Sequence, residues 1–493
     1  MKYIRIPKEI SFDSIMSNKA CLAPSKYNDY YPNPTVDFRT LSTLVIPTST
    51  KTRTFKSKTY RYIEIGDIDV NTGFVDSNTF FGYSLPSKNP VVIQQHDILI
   101  STVRTYRKGI GIVEIEGNNL VCSPAIFVIR DVEKTISKDY LLAILRSDFF
   151  IEQILSLQNR GMYPRLDGDT VRKVFIPVPN NRADLAYISA LSKSVTNKYN
   201  LIYKRNKQLL DLVEEEIKQN QKPNSYSFSF PTITDVIDSG RMDAGFFSEN
   251  HGQFIFETQN YRHGYHTLKE AGLTLIPGPS LEIKLLGTRI DSDKPSKGFY
   301  RLVTPTQFSD YGTISHYTYL GTPRKIEPIQ YGDILFGESG TGRSVVYLER
   351  HDRTINNAHA HILRPDKVKC SLEKAITLRA ILAYYKKIGV IDHLTVGGSG
   401  GHLSPSYFDR VIIPDFPEKQ QKQIARLYHN PSVSYDISRI TLDSFHEIDN
   451  SFDGEAGIVE LDYAAKKITA QLDETIHKLV TGERIETSFS FLG

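Results

Sequence analysis

The sequence predicts an α+β protein built from two tandem strand-rich blocks, each followed by a long helix. Three observations predict this fold class: short β-branched and aromatic runs cluster in two regions, the order of elements occurs twice, and a helix with a seven-residue repeat follows each region. The predicted segments are a first block at residues 1–181, a first helix at 182–222, a second block at 223–417 and a second helical region at 418–486.

The composition is that of a globular protein with room for two or three domains. The chain has 493 residues, of which 40% are hydrophobic and 24% are charged. No apolar run approaches the roughly 18 residues of a membrane span, and the N-terminus lacks the apolar segment of a signal peptide. We therefore expect a cytoplasmic protein without a membrane partner. The net charge of +4 permits nucleic-acid binding but does not require it.

The first predicted helix covers Leu185–Gln219 and carries a heptad pattern. Two series of positions, seven residues apart within each series, form an a/d seam over about four heptads, and such a seam requires a partner helix. The first series is Ile188, Val195, Ile202 and Leu209, and the second is Ser192, Tyr199, Asn206 and Val213.

The two blocks have matching landmarks, which indicates an internal duplication. Asp97 matches Asp333 and Arg107 matches Arg343, each 236 positions later, and Pro177 matches Pro414 after 237. Offsets held this closely, with the same order of elements, predict two copies of one block.

A last helix, predicted at Val459–Val480, has its own heptad seam and ends at Gly482. The two seams could satisfy one another, which predicts a pseudo-twofold molecule. The seam positions are Leu461, Ala465, Ile468, Leu472, Thr475 and Leu479.

The stretch from Gly337 to Ser344 nearly matches the phosphate-binding loop of nucleotide-binding proteins. Arg343 replaces the lysine of that motif, however, and the residues that follow predict a strand instead of the required helix. We therefore predict a glycine-rich hairpin tip that presents Arg343, and no nucleotide site.

Two pairs of matching loops are the candidate binding regions, because polar loops on a rigid scaffold commonly carry recognition. Arginine at such places suits phosphate contacts or base-edge readout, although a solvated turn is the alternative. The candidates at the hairpin tips are Arg104, Tyr106, Arg107 and Lys108 in the first block and Ser339, Thr341 and Arg343 in the second. The candidates in the helix-to-strand loops are Arg160, Tyr163 and Arg165 in the first block and Ser399, His402 and Ser404 in the second.

Motifs for catalysis, cofactors or metals are not evident in the sequence. His359 and His361 share a strand face but lack a third ligand at a suitable spacing, and the three cysteines are too far apart for a metal motif. The sequence also lacks the common hydrolase, metalloprotease and glycine-rich cofactor signatures. We therefore expect a non-catalytic binding protein without a cofactor or metal.

Several further motifs recur in the same order in the two blocks. They are GDILFG (332–337), GGSGGHLSPSYFDRVIIPDFPEKQQKQIA (397–425), their first-copy counterparts HDILIS (96–101) and GMYPRLDGDTVRKVFIPVP (161–179), and RMDAGFFSE (241–249), which precedes the second set. Through these motifs the whole chain resembles the specificity (S) subunit of Type I restriction-modification systems. No motif among them is highly specific, but their order occurs twice.

The resemblance implies two target recognition domains that each read half of a split DNA site, with an antiparallel coiled coil as the spacer. It also implies partners: double-stranded DNA, two methyltransferase subunits and a nuclease-translocase subunit. The chain departs from the pattern by extra length at the start of the first block and by an interruption near residues 430–457. A similar reader in another phage-defence system and a self-contained DNA methyltransferase or nuclease are therefore the alternatives.

Overall fold

The computed structural model describes residues 3–5, 7–17, 27, 29–30, 35–46, 55–157, 166–338, 342–395, 405–408 and 410–493. The chain folds into two compact units, the first made of Met1–Leu201, Val433–Glu455 and Leu461–Gly493 and the second of Ile202–Ser432 and Ala456–Glu460. Both units combine short strands with helices, which confirms the predicted α+β class. Within the described part of the chain, no helix combines the length and apolar character that a membrane span requires.

Strands and helices are numbered in chain order over these described ranges. The strands are β1 (Ile4–Arg5), β2 (Asp29–Tyr30), β3 (Asp37–Thr40), β4 (Val45–Ile46), β5 (Thr59–Ile63), β6 (Asn78–Phe81), β7 (Val91–Val92), β8 (Ile98–Ser101), β9 (Ile110–Ile112), β10 (Leu120–Cys122), β11 (Ile126–Ile129), β12 (Asp131–Val132), β13 (Phe175–Val178), β14 (Tyr265–Thr267), β15 (Leu273–Ile276), β16 (Ile290–Ser292), β17 (Tyr300–Leu302), β18 (Thr318–Gly321), β19 (Ile334–Gly337), β20 (Ser344–Val346), β21 (Thr354–Ile355), β22 (Ala360–Pro365) and β23 (Ile412–Pro414). The helices are α1 (Phe12–Ser17), α2 (Leu41–Leu44), α3 (Lys138–Arg146), α4 (Asp148–Leu157), α5 (Gly168–Arg172), α6 (Arg182–Gln219), α7 (Ile233–Ser239), α8 (Glu249–Gln259), α9 (Ile283–Leu286), α10 (Leu372–Lys387), α11 (Val390–Leu394), α12 (Pro405–Phe408), α13 (Glu418–Tyr428), α14 (Phe445–Glu455) and α15 (Ile458–Thr481).

The main sheets of the first unit lie around strand β8. One sheet has the order β6–β5–β10–β7, with β5 and β10 parallel, and the other has the antiparallel order β11–β8–β9. Ile98 and Ile100 of β8 belong to the large core that includes helices α3 and α4, whereas Leu99 belongs to a second core between the sheets. Strand β8 is therefore buried on both faces, which explains its continuous apolar sequence.

The second unit repeats three strands of each main sheet and differs in the edge strands. Its sheets have the orders β16–β18–β17–β21, with β17 and β21 parallel, and β15–β22–β19–β20, which is antiparallel. In both units an Ile-Pro strand pairs antiparallel with a strand from the start of the block, since β13 pairs with β3 and β23 pairs with β14. The predicted match of Pro177 with Pro414 is confirmed by this pairing.

The duplication extends to individual hydrogen bonds. Asp97 accepts a hydrogen bond from the backbone N–H three residues before it and pairs with Arg130 at 2.9 Å. Asp333 likewise accepts a hydrogen bond from the backbone N–H three residues before it and pairs with Arg364 at 3.0 Å. Both carboxylates are buried, and each lies against an arginine, as a buried charge requires.

The predicted match of Arg107 with Arg343 is wrong. The Ser101 N–H donates to the Gly109 carbonyl at 2.8 Å, and the Gly337 N–H donates to the Arg343 carbonyl at 2.9 Å in the equivalent hairpin. Arg343 therefore stands in the register of Gly109. The second hairpin tip is two residues shorter than the first, so a constant sequence offset pairs the wrong positions there.

The long helices confirm both heptad predictions. Helix α6 contributes its first part to the first unit and its remainder to the second, and its seam positions Ile188, Ile202 and Leu209 are fully buried. In the first unit α6 and α15 pack antiparallel, because Tyr187 donates to the Ser488 carbonyl beyond the end of α15 while residues 192–199 lie near residues 466–473. The pseudo-twofold relation between the two copies stays a prediction.

The segment between α13 and α15 contains a helix that the sequence did not predict. Helix α14 carries Asp449 and Asp453, whose carboxylates hold the buried Lys198 ammonium of α6 at 2.6 and 2.7 Å. Two other helical stretches are each divided: α3 and α4 meet at Ser147, and two residues separate α10 from α11. The limits of the four predicted segments remain predictions.

Candidate nucleic-acid interface

The tip between β8 and β9 is a rigid turn in the first unit. Residues Thr105–Arg107 form one 3-10 turn, flanked by Arg104 and Lys108 in the left-handed region with φ of 50° and 61°. Thr105 is buried and its hydroxyl donates to the Ser101 carbonyl at 2.6 Å. Non-glycine residues in this conformation require support from their surroundings, and the Thr105 anchor supplies some of it.

The four predicted residues of this tip face different surroundings. Arg107 is exposed and Arg104 is half-buried. Tyr106 packs against the large core of the unit, and Lys108 forms an ion pair with Asp148 at 2.8 Å. Arg107 is therefore the best placed of the four for a ligand, whereas Tyr106 and Lys108 also serve the fold.

Arg104 and Arg107 line one cavity of about 530 Å³. Asp69 and Asn71 line the same cavity from the turn after β5, together with the backbone near Gly66. Guanidinium, carboxylate and amide groups around one recess offer both donors and acceptors, which suits contact with a polar, negatively charged surface and with base edges.

The second hairpin presents its arginine differently. Arg343 precedes strand β20, which confirms the prediction that a strand and not a helix follows the glycine-rich stretch. Its Nε donates to Asp310 at 2.6 Å and its Nη1 to the Phe308 carbonyl at 3.3 Å, while 36% of the side chain stays exposed. Ser339 and Thr341 lie outside the described residues.

The helix-to-strand loops carry six more candidates, all outside the described residues. The chain re-enters the described region beside the hairpins in both units. The Leu166 N–H donates to the Thr102 carbonyl at 2.9 Å, two residues from Arg104, and the Phe408 ring packs at 5.3 Å on Phe336 of β19. The candidates concerned are Arg160, Tyr163, Arg165, Ser399, His402 and Ser404.

Two arginines of the helices, Arg146, which is half-buried, and Arg379, which is buried, were not among the sequence predictions. Arg146 at the end of α3 and Arg379 inside α10 reach under the turns at Gly73 and Gly312 in their respective units. The sequence does contain a sign of such residues, namely a single cation within an apolar stretch of helix, as with Arg379 between Leu378 and Ala380. Such a residue is expected to need a partner, but the sequence cannot identify that partner.

The described part of the chain offers few side chains suited to nucleophilic catalysis or metal binding. It contains no group of three or more His, Cys, Asp or Glu side chains that could hold a metal ion. Burial raises the pKa of the Cys122 thiol to about 12 and that of Cys370 to about 11, so both thiols stay protonated and unreactive at neutral pH. His361 is buried against Phe408, whereas His359 is exposed.

No protein-family model and no curated protein matches the chain. It is similar to the HsdS subunit of Thermoanaerobacter tengcongensis, with 18% identity over 92% of this chain and 99% of that one and a TM-score of 0.32. It is also similar to a chain from a structure of complex assembly and conformational transition of the type I R-M system, with 16% identity, coverage of 92% and 100%, and a TM-score of 0.33.

A third similar structure is the Type-I restriction-modification system S subunit from M. genitalium, with 12% identity, coverage of 91% and 97%, and a TM-score of 0.42. These likenesses extend over nearly the whole chain.

Proposed function

We propose that the chain is a non-catalytic DNA-recognition subunit that reads a bipartite site, as the specificity subunit of a Type I restriction-modification complex. The observation that carries the proposal is the duplication of one block down to its buried Asp-Arg pairs, Asp97–Arg130 and Asp333–Arg364. Two copies of one scaffold in a single chain are suited to read two half-sites, and loops that differ between the copies suit two different sequences.

The first unit offers the contacts that such a reader needs. The recess beside Arg104 and Arg107 combines positive charge with hydrogen-bonding groups, as phosphate positioning and base readout require. In this proposal the helix-to-strand loops add the remaining contacts. Two methyltransferase subunits and a nuclease-translocase subunit would join the chain in the cytoplasm.

Selection from a random duplex library tests the proposal. The chain is purified with whatever subunits co-purify, bound duplexes are sequenced, and we expect two fixed half-sites separated by a spacer of constant length. Enrichment of one continuous site, or of no sequence, would contradict a bipartite reader.

The same purified protein tests the alternative that the chain is itself a DNA-modifying enzyme. The chain is separated from all partners and incubated with DNA, a methyl donor and Mg²⁺. We expect neither methylation nor cleavage from the chain alone, and the appearance of either would overturn the non-catalytic assignment.

A further inference from the structure

A polar cavity of about 270 Å³ lies in the second unit. Of its lining residues, Arg343 is the one that also belongs to the DNA contacts proposed above. Helix α10 supplies Arg379 and Lys386 to its wall, and the hairpin supplies Arg343 and Ser344. Asp310, in the turn between β17 and β18, is the acidic residue among its lining side chains. Three cationic side chains therefore surround this space with one carboxylate.

Arg379 is 1% exposed and has an incomplete set of partners. Its Nε donates to the Ser344 carbonyl at 2.9 Å, and its guanidinium lies 5.2 Å from the centre of the Tyr428 ring. Its Nη1, however, has no hydrogen-bond partner in the described structure, and neither does the buried hydroxyl of Ser344. A buried guanidinium nitrogen without a partner is costly, because it has lost its water without replacement.

The first unit shows how the same position is satisfied without a ligand. Arg146 reaches under Gly73 as Arg379 reaches under the equivalent glycine of the second unit. Arg146 Nη1 donates to the Ile110 carbonyl at 2.5 Å, and its Nη2 donates to the Asn71 carbonyl at 2.8 Å. Backbone carbonyls thus occupy both terminal nitrogens of Arg146, whereas one terminal nitrogen of Arg379 remains available.

The missing partner should be an anion. In the described part of the chain no carboxylate pairs with Arg379. Burial lowers the pKa of its guanidinium, but an arginine side chain keeps its charge in a protein. Asp310 is already bound to Arg343, and Lys386 is bound to Asp392 at 2.6 Å. Because a guanidinium fork matches the oxygens of a phosphate group, an oxyanion fits the unused donors better than a neutral ligand does.

We propose that this cavity is a phosphate-binding site, in which Arg379 Nη1, the Ser344 hydroxyl and the exposed side of Arg343 hold one phosphate group. Two sources carry this chemistry, the DNA backbone and free inorganic phosphate. The DNA source rests on the proposed function, whereas binding of inorganic phosphate does not.

Calorimetric titration of the full chain with inorganic phosphate tests the site itself. We expect saturable binding at one site, weakened about tenfold or more in Arg379→Gln, because hydrogen bonds from charged donors contribute the most. Ser344→Ala leaves the fold intact and should weaken binding about threefold, which keeps the test valid if Arg379→Gln does not fold. Lys422→Met, which removes an exposed cation of α13, is the control and should bind as the wild type does. Absence of saturable binding, or equal affinity in Ser344→Ala and the wild type, overturns the site.

DNA binding by the co-purified complex separates the two sources. If the site holds a backbone phosphate, Arg379→Gln should reduce the slope of log affinity against log salt by about 0.9 and leave the recognised sequence unchanged. If phosphate binds and the DNA slope is unchanged, the site stands and its ligand is free phosphate. A complex that binds DNA but shows no phosphate binding and no effect of the variants overturns the site and leaves the proposed function in place. A complex that binds no DNA overturns the proposed function, and the titration alone then decides the site.

Discussion

Lys198 is a fully buried ammonium that ties helix α6 to helix α14. It bonds Asp449 and Asp453 at 2.6 and 2.7 Å and lies over the rings of Tyr435 and Phe452. The Tyr435 hydroxyl donates to Asp449 at 2.6 Å. Burial and the neighbouring Asp449 raise the pKa of Tyr435, so its hydroxyl stays protonated and remains a donor. One cation therefore compensates two buried carboxylates.

Replacing this lysine should destabilise the first unit. Lys198→Met leaves two buried carboxylates without a counter-charge, and we expect a loss of about 3–5 kcal/mol in the free energy of unfolding. Scanning calorimetry would show it as a lower unfolding temperature of the first unit. Lys193→Met, on an exposed position of the same helix, should change stability by less than about 0.5 kcal/mol. Equal unfolding temperatures for the two variants would show that the cluster adds nothing to stability.

His251 makes the second unit sensitive to acid. Burial lowers its pKa to about 4, with His393 and Arg241 adding to the decrease and Asp243 opposing it. In the unfolded chain the His251 imidazole takes up a proton near pH 6.5, so the second unit has its full stability above that pH. Because the folded unit takes up this proton only near pH 4, its free energy of unfolding falls progressively between about pH 6.5 and about pH 4.

We expect His251 to lower the free energy of unfolding of the second unit by about 2 kcal/mol when the pH falls from 7.5 to 5. His251→Phe keeps an aromatic ring against Phe246 and Phe254 and removes the titration, so urea unfolding of this variant should depend less on pH over that range. His316→Gln, at an exposed histidine, should keep the wild-type dependence. An unchanged pH dependence in His251→Phe would contradict the assignment.

The hairpin arginines are the candidates for DNA contact. We expect Arg107→Ala together with Arg343→Ala to weaken DNA binding by the co-purified complex and to reduce its salt slope by up to about 2, because each side chain would release one phosphate contact. Fluorescence anisotropy at several salt concentrations measures both quantities. Lys284→Ala, an exposed cation of α9, is the control. An unchanged affinity would favour a scaffold that binds only protein.

At the scale of elements, the sequence predicted what local periodicity determines. The seven-residue pattern located α6 and α15 within a few residues, because helical contacts join neighbours along the chain. It did not locate the parallel pairing of β5 with β10, which joins residues about 60 positions apart and leaves no local pattern. Helix α14 escaped because its Asp/Ser-rich sequence resembles a loop, and only the buried Lys198 explains its carboxylates.

The sequence also predicted only the local features of the candidate interface. Gly-rich and basic stretches between apolar runs indicated the two hairpins, but a shorter second tip shifted Arg343 into the register of Gly109. The need of Arg379 for a partner depends on carbonyls and a glycine turn that are distant in sequence. Such a requirement becomes visible only when the fold brings these groups together.

At the scale of the whole molecule, α6 is divided almost evenly between the two units, with residues 182–201 in the first and 202–219 in the second. Its 38 residues at about 1.5 Å each make it roughly 57 Å long. Each half of its seam is buried within its own unit, at Ile188 in the first and Leu209 in the second. We propose that this continuous helix acts as the ruler that sets the distance between the two half-sites.

Duplicating one heptad of α6 tests this ruler. Repeating residues 195–201 directly after Leu201 adds seven residues, or about 10 Å, while the seam rotates by only about 20°. At about 3.4 Å per base pair, the spacer between the half-sites should grow by about three base pairs, with both half-site sequences unchanged. Inserting two residues at the same place is the matched control, since a rotation of about 200° turns the seam away from its partners and should abolish assembly. Selection from a random duplex library reads the spacer directly, and a changed half-site sequence or an unchanged spacer would show that α6 does not set the distance.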